Sequence, residues 1–515
     1  MPYRNLGNKA HTYIHLLSIC GIAIGLPLNK VVLSISLMVG LLNLLIEANF
    51  SVYWKKLKES KATWFIGGFW VLHLIALLWT TELNFAFSDI RIKLPLIVIP
   101  LILSCKPIND KKEIHLVFLS FLASLLFTSI YNYFAFVGVF EGYQYNDIRG
   151  LSLFGSHIRY GILIAIGTVI ALFGIFTQKK LKWLFFIIFS WFAYYTFYSQ
   201  IISGALAVVI GIIAYCLYYM YTYNRKLFII TTILLVFIPG LAFVLIKQSD
   251  DKIPAKLDIS TLENKTRDGN VYVHSTSGSC DANGQLIFVN LCEVELRKEW
   301  NKVSTFDYDG KDKKGQTLRF TLIRYMSSIG LKKDAVDFKQ LKKSDIINIE
   351  SGIADIKDSK SGIFARVNGI RFQIQNDIDP NGHSLLQRVE FWKTGWQILK
   401  SNWLIGVGTG DTQITFDQQY KKDNSPLIQE NRLRAHNTYL TVWITFGIVG
   451  MVLFIWMIGF YLTTSLSLNH PLAFAFILIA CSTFLIEDTL ETQTGVTLFS
   501  FFYALLNMNI NPYRP

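Results

Sequence analysis

Four residues able to bind an anion or move a proton, Arg432, Arg434, His436 and Asn437, fall within six positions of one another, and a long apolar run begins directly after them. Cations at the N-terminus of a helix oppose its macrodipole. A cluster that costs local stability points to an anionic ligand, and phosphate is the natural candidate because arginine holds it through two parallel hydrogen bonds. Snorkelling of long cationic side chains at an interface accounts for the same pattern. A histidine, with an ordinary pKa of about 6.5, adds a group suited to proton transfer near neutrality.

Other chemistry-bearing residues are scattered along the chain. Arg159 follows His157 at the start of an apolar stretch, and an ionisable residue at bilayer depth is a functional candidate by default. Arg149, Arg91 and Lys93 fall on the same side, and with Arg388 and Arg434 they compose a cationic basin if the fold brings them together. Of the opposite sign, Glu487, Asp488 and Glu491 cluster between two apolar stretches, where capping of the following helix is the structural alternative. Gly406, Gly408 and Gly410 stand in Leu404-Ile-Gly-Val-Gly-Thr-Gly-Asp411. Such a loop lets backbone amides approach phosphate, but it lacks the glycine spacing of a dinucleotide fold, so a tight turn competes with that reading. Cys280 and Cys292 flank an Asp-Ala-Asn-Gly turn and are candidates for a hairpin disulfide.

The elements that must position these groups are membrane helices. The 515 residues are 52% hydrophobic and 15% aromatic with 17% charge, too apolar for ordinary globular packing. Stretches near 11–28, 31–50, 63–80, 92–105, 114–137, 155–177, 183–198, 202–223 and 227–246, then 437–465, 469–486 and 492–510, approach the length that spanning requires. The fold expected is therefore an all-α polytopic membrane protein of about twelve transmembrane helices. The first stretch reads as a retained helix and not a cleaved signal. Placing the N-terminus in the cytoplasm puts fifteen Lys and Arg residues of the short loops inside, among them Lys55, Lys56, Lys58, Lys179, Lys180 and Lys182, against four outside, so both termini are expected inside. Much of the net charge of +13 belongs to these loops, which argues against nucleic-acid binding.

Three parts follow: membrane domains at 1–247 and 436–515, and a mixed α+β extracytoplasmic insertion at 248–435 between helices nine and ten. Within the insertion the patterning predicts strands near 270–275, 285–296 and 304–308 and helices near 317–329 and 343–356. Leu385, Val389, Trp392, Trp396 and Leu399 draw one stripe, predicting a helix that lies flat on the outer leaflet or, alternatively, packs in the insertion's core.

Taken together, the chain resembles the O-antigen ligase and polymerase superfamily of bacterial envelope glycosyltransferases. The likeness is strongest from Arg388 to Gly450: Arg388-Val-Glu-Phe-Trp392, Gly406-Val-Gly-Thr-Gly-Asp411 and Arg434-Ala-His-Asn-Thr-Tyr-Leu440 stand in the family's order, and Gly447 and Gly450 follow His436-Asn437 at the ligase spacing. Glu487 to Val496 is similar to the family's acidic end region. Met451 and Val452 replace a frequent Thr-Tyr, and Ser199-Gln-Ile-Ile-Ser203 replaces a Ser-Arg pair, leaving one family arginine unmatched.

The resemblance implies glycan transfer from an undecaprenyl-diphosphate-linked donor to an acceptor hydroxyl of lipid A-core or of a growing glycan. It further implies that the reaction needs no cofactor or metal and inverts the sugar, at the periplasmic face of the inner membrane. In that scheme His436 is the general base and Asn437 its orienter. Arg434, Arg388, Arg159 and Arg149 hold the diphosphate, and Glu487 and Glu491 serve the acceptor or support the site. Ligase and polymerase remain open, as does transfer to protein hydroxyls. From another class a transporter or flippase of lipid-linked glycans is the alternative, although the internal repeats common in transporters are not evident.

Overall fold

A computed structural model describes residues 2–108, 110–140, 151–199, 201–233, 262–275, 286–313, 315–356, 380–381, 384–467 and 470–507. Among these the chain is mostly helical, and β pairing is confined to isolated bridges such as Lys265 with Val271 and Lys311 with Thr317. It packs as two units, one of Met1–Thr231, Glu390–Ser425 and Gln429–Pro515, the other of Thr232–Val389 and Pro426–Ile428.

The first unit is a multi-pass helical assembly. Among the described residues seven helices are long and apolar enough to cross a bilayer: Lys9–Leu28, Lys30–Glu47, Lys61–Trp79, Lys111–Phe136, His157–Thr177, Ile202–Tyr223 and Thr438–Leu466. Pro471–Phe484 and Gln493–Leu506 are apolar but shorter. A helix satisfies its own backbone, which is the condition for residence in lipid. The stretch read at 227–246 is helical over 225–233 and otherwise lies outside the described residues. Between the predicted spans 63–80 and 92–105 the structure inserts a separate helix, Leu83–Lys93, and begins the next, Pro95–Cys105, at Pro95. Proline has no N–H to give the preceding turn, so the backbone ladder breaks there.

One continuous core joins these helices, with Phe69, Phe121, Phe192, Phe454 and Phe499 fully buried. Two helices approach backbone to backbone where Gly161 meets Gly204: a Cβ on Gly161 would stand 2.8 Å from the Gly204 Cα. Small residues permit such contact where lipid supplies no driving force between helices. Met38, Leu42, Ile187, Val452 and Trp456 instead face outward, as lipid-exposed positions do.

The second unit has its own core of Leu296, Trp300, Tyr308, Leu322, Tyr325 and Met326, built by helices Glu293–Val303, Leu318–Ser328, Ala335–Phe338 and Lys343–Glu350. Buried Glu295 ties it together, accepting from Thr266 Oγ1, Asn270 Nδ2 and Ala335 N. The helices expected near 317–329 and 343–356 are present, the second ending at Glu350. The strands are not: among the described residues Val271 and Val273 make single bridges, 304–308 is irregular, and helix Glu293–Val303 takes over part of 285–296. The apolar positions of that helix recur at helical spacing, Leu296 and Trp300 lying one turn apart on its buried side, and this outweighs the alternation read from sequence. Cys292 is a buried free thiol, while Cys280 lies outside the described residues.

Candidate active site

The glycine-rich loop sets the geometry. Gly406 and Gly408 adopt φ of 81° and 96°, and Gly447, inside the long helix Thr438–Ser467, adopts φ 64° and ψ −162°. The two segments press together: a Cβ on Gly447 would stand 2.2 Å from the Leu404 carbonyl oxygen. Val407 N donates to Ile444 O at 2.8 Å and Gly408 N to Thr445 O at 3.0 Å, so these amides serve the chain and not a phosphate. The tight-turn reading is the one the structure adopts. Asp411, at the end of the loop, accepts hydrogen bonds from Thr81 N, Thr81 Oγ1 and Glu82 N, which holds the N-terminus of helix Leu83–Lys93.

At the other end of that helix lies a buried chain of alternating charge. Lys93 Nζ bonds Asp89 Oδ2 at 2.7 Å and Glu491 Oε1 at 2.8 Å, and Glu491 Oε2 accepts from Arg434 Nη1 at 2.5 Å. Burial works against the charge of Arg434, but Glu491, Asp488 and Asp89 outweigh it and hold its pKa above the ordinary arginine value. Burial also opposes ionisation of Glu491, and Lys93 with Arg434 overcome it, drawing that carboxyl down to about 2. For Asp488 the balance reverses, and burial lifts its carboxyl above the usual range despite Arg434. Arg434 engages Glu491 through one guanidinium nitrogen, remains 21% exposed, and lies over the Phe85 ring at 5.7 Å.

Two residues on, His436 is held in a left-handed conformation, φ 45°, uncommon for a side chain with a Cβ. Its backbone N donates to Asp488 Oδ2 at 2.9 Å, and Thr441 Oγ1 donates to the other oxygen at 2.8 Å. The imidazole stacks on Phe391 with centroids 5.5 Å apart, and its Nδ1 stands 3.5 Å from Glu487 Oε2. Glu487 Oε1 lies 3.6 Å from Arg159 Nη2. Tyr160, next to Arg159, hydrogen-bonds Thr128 at 2.8 Å and so fixes the start of its helix. Four carboxylates, Asp89, Glu487, Asp488 and Glu491, thus interleave with the cations Lys93, Arg159 and Arg434 around His436.

Of the residues singled out from sequence, the structure brings together His436, Arg434, Arg159, Glu487 and Glu491. Asn437 is adjacent, and its Oδ1 accepts Leu440 N at 3.0 Å, capping helix Thr438–Ser467. Arg388 belongs to the second unit, where its Nη1 donates to Ser384 O. Arg149 lies outside the described residues. The acidic trio does not cap the last helix, because Thr492 does so through Gly495 N. Helix Ser384–Asn402 forms as its stripe predicts, but the stripe is split: Leu399 is buried with Phe391, Thr394, Gly395 and Ile398, while Val389, Trp392 and Trp396 are exposed. Its glycine decides the face, since Gly395 is closed over by Leu440 and Phe416. Sequence reasoning missed the pairing of Asp89 with Lys93. Their four-residue spacing on one short helix was the available signal.

Residues 350–455 match the model of the family described as O-Antigen ligase. Among curated proteins no match to the chain is found. The matched span holds the glycine-rich loop, Arg434, His436 and the glycine-broken start of the following helix. Through that segment the chain is similar to the O-antigen ligase family, and its apolar helices are those of a multi-pass membrane protein.

Proposed function

We propose that the protein transfers a glycan from an undecaprenyl-diphosphate carrier to a hydroxyl of lipid A-core, at the periplasmic face of the bacterial inner membrane. The observation that carries this reading is the seating of His436 between Phe391 and Glu487, two residues from an arginine with guanidinium nitrogens to spare. Breaking the sugar–phosphate bond leaves negative charge on the diphosphate. Arg434 and Arg159 stabilise it in a site of low dielectric, with Arg388 and Arg149 as further candidates. His436 removes the proton of the attacking hydroxyl, and Glu487 stabilises the resulting imidazolium. Attack from the face opposite the leaving diphosphate inverts the anomeric centre. Asn437 caps the helix that begins two residues after His436, and Glu491 accepts from one guanidinium nitrogen of Arg434.

The test is the lipopolysaccharide banding of a deletion strain carrying wild type, His436→Ala or Arg434→Ala, together with its pool of lipid-linked glycan. The expected result is loss of all long-chain bands in both variants with accumulation of long carrier-linked glycan, a fall of about 10²–10⁴ in transfer for the loss of a general base. Single-repeat product still attached to core would make the enzyme a polymerase using the same donor. Normal banding from both variants would overturn the catalytic assignment and favour transport of the lipid-linked glycan.

A further inference from the structure

Asp89 and Lys93 lie one turn apart on helix Leu83–Lys93, 6% and 4% exposed, and both Nζ contacts of Lys93 are to carboxylates. Lys93 is therefore buried between two carboxylates. Its effect is on Glu491. A carboxylate and a guanidinium left to themselves form a two-point fork, but here Lys93 occupies Oε1, so Arg434 is held only through Nη1 on Oε2. Asp89 accepts a further bond from Lys93 at 2.7 Å, and Asp411 fixes the far end of the same helix through Thr81 and Glu82.

We propose that Lys93 is a positioning residue: by occupying one oxygen of Glu491 it denies Arg434 the fork and keeps the rest of the guanidinium for the donor's diphosphate. The glycine-rich loop then serves the diphosphate at a distance, by setting the register of the helix that presents Lys93. This inference rests on the reading of Arg434 as a diphosphate ligand.

The experiment uses the full-length protein in detergent with two readouts: phenylglyoxal labelling of Arg434 followed by mass spectrometry, and calorimetric binding of farnesyl diphosphate. In Lys93→Met, Glu491 closes the fork, so labelling is expected to slow at least about threefold and binding to weaken at least about tenfold. In the double variant Lys93→Met, Glu491→Gln no carboxylate remains at 491 to form the fork, and both readouts return to within about threefold of wild type. Asp89→Asn, which leaves Lys93 on Glu491, retains both.

Unchanged labelling in Lys93→Met overturns the proposal. So does a double variant that labels normally yet still binds poorly, since Lys93 would then be a ligand itself. An equal loss in Asp89→Asn also overturns it, because the helix would then need only an intact buried pair. If Lys93→Met does not fold, the double variant, free of a lone buried carboxylate at 491, decides by its binding. If the labelling pattern holds but wild type binds no farnesyl diphosphate, the positioning role stands and the donor reading falls.

Discussion

Glu487 approaches both the imidazole of His436 and the guanidinium of Arg159, so one carboxylate serves the proposed proton acceptor and a cation together. A histidine that takes a proton in the transition state gains most from a fixed negative charge beside it, and contacts that are long in a resting site tighten when substrate arrives. Glu487→Gln keeps the shape and removes the charge. It is expected to lower kcat by roughly 10²-fold or more while leaving the donor KM within about threefold, because the lost interaction belongs to the transition state. Steady-state transfer assays in native membranes check this, and a rise in KM with kcat unchanged would reassign Glu487 to substrate binding.

The long helix Thr438–Ser467 is where an element, and not a single side chain, does the positioning. Its backbone turns aside at Gly447 with φ and ψ that belong essentially to glycine alone, and the opening admits Leu404 and Ile405 of the glycine-rich loop. Loop and helix then lock through Val407 N, Gly408 N and Ile448 N, the last donating to Trp403 O at 2.9 Å. A methyl group at 447 strains the backbone and collides with the Leu404 carbonyl oxygen. Gly447→Ala should destabilise the protein by about 1–3 kcal/mol or more, lowering its melting temperature in detergent. Gly459→Ala on the same helix, where a Cβ meets nothing within 4 Å, should change it little. Equal melting temperatures for the two variants would mean that the break is not held by the loop.

At the scale of the whole molecule, the charge asymmetry of the short loops makes a statement about sidedness. Lys55, Lys56 and Lys58 crowd the helix Phe50–Glu59, whereas the polar surface of the second unit carries Asp268, Arg267 and Glu263. Positive short loops stay in the cytoplasm and long polar segments cross regardless of charge. A cysteine at Asp268 should therefore react with a membrane-impermeant maleimide in spheroplasts, and a cysteine at Lys58 only after lysis. The opposite pattern would invert the topology and place the site on the side away from the proposed acceptor.

The amino-acid sequence by itself determined the long apolar helices and the identity of the central cluster, since both are local properties. Apolar runs such as His157–Thr177 and Ile202–Tyr223 carry their length and period within themselves, and Arg434 and His436 stand two residues apart in any fold. Which groups those residues meet was decided only by tertiary structure. Glu487, Asp488 and Glu491 face His436 and Arg434 from more than fifty residues downstream, and Asp411 caps a helix 330 residues upstream. Pairing of that kind depends on how helices pack, and no spacing in the chain encodes it. The same holds for the exposed tryptophans of Ser384–Asn402: the stripe marked an amphipathic helix, but the absence of a side chain at Gly395 let Leu440 close in and chose the buried face.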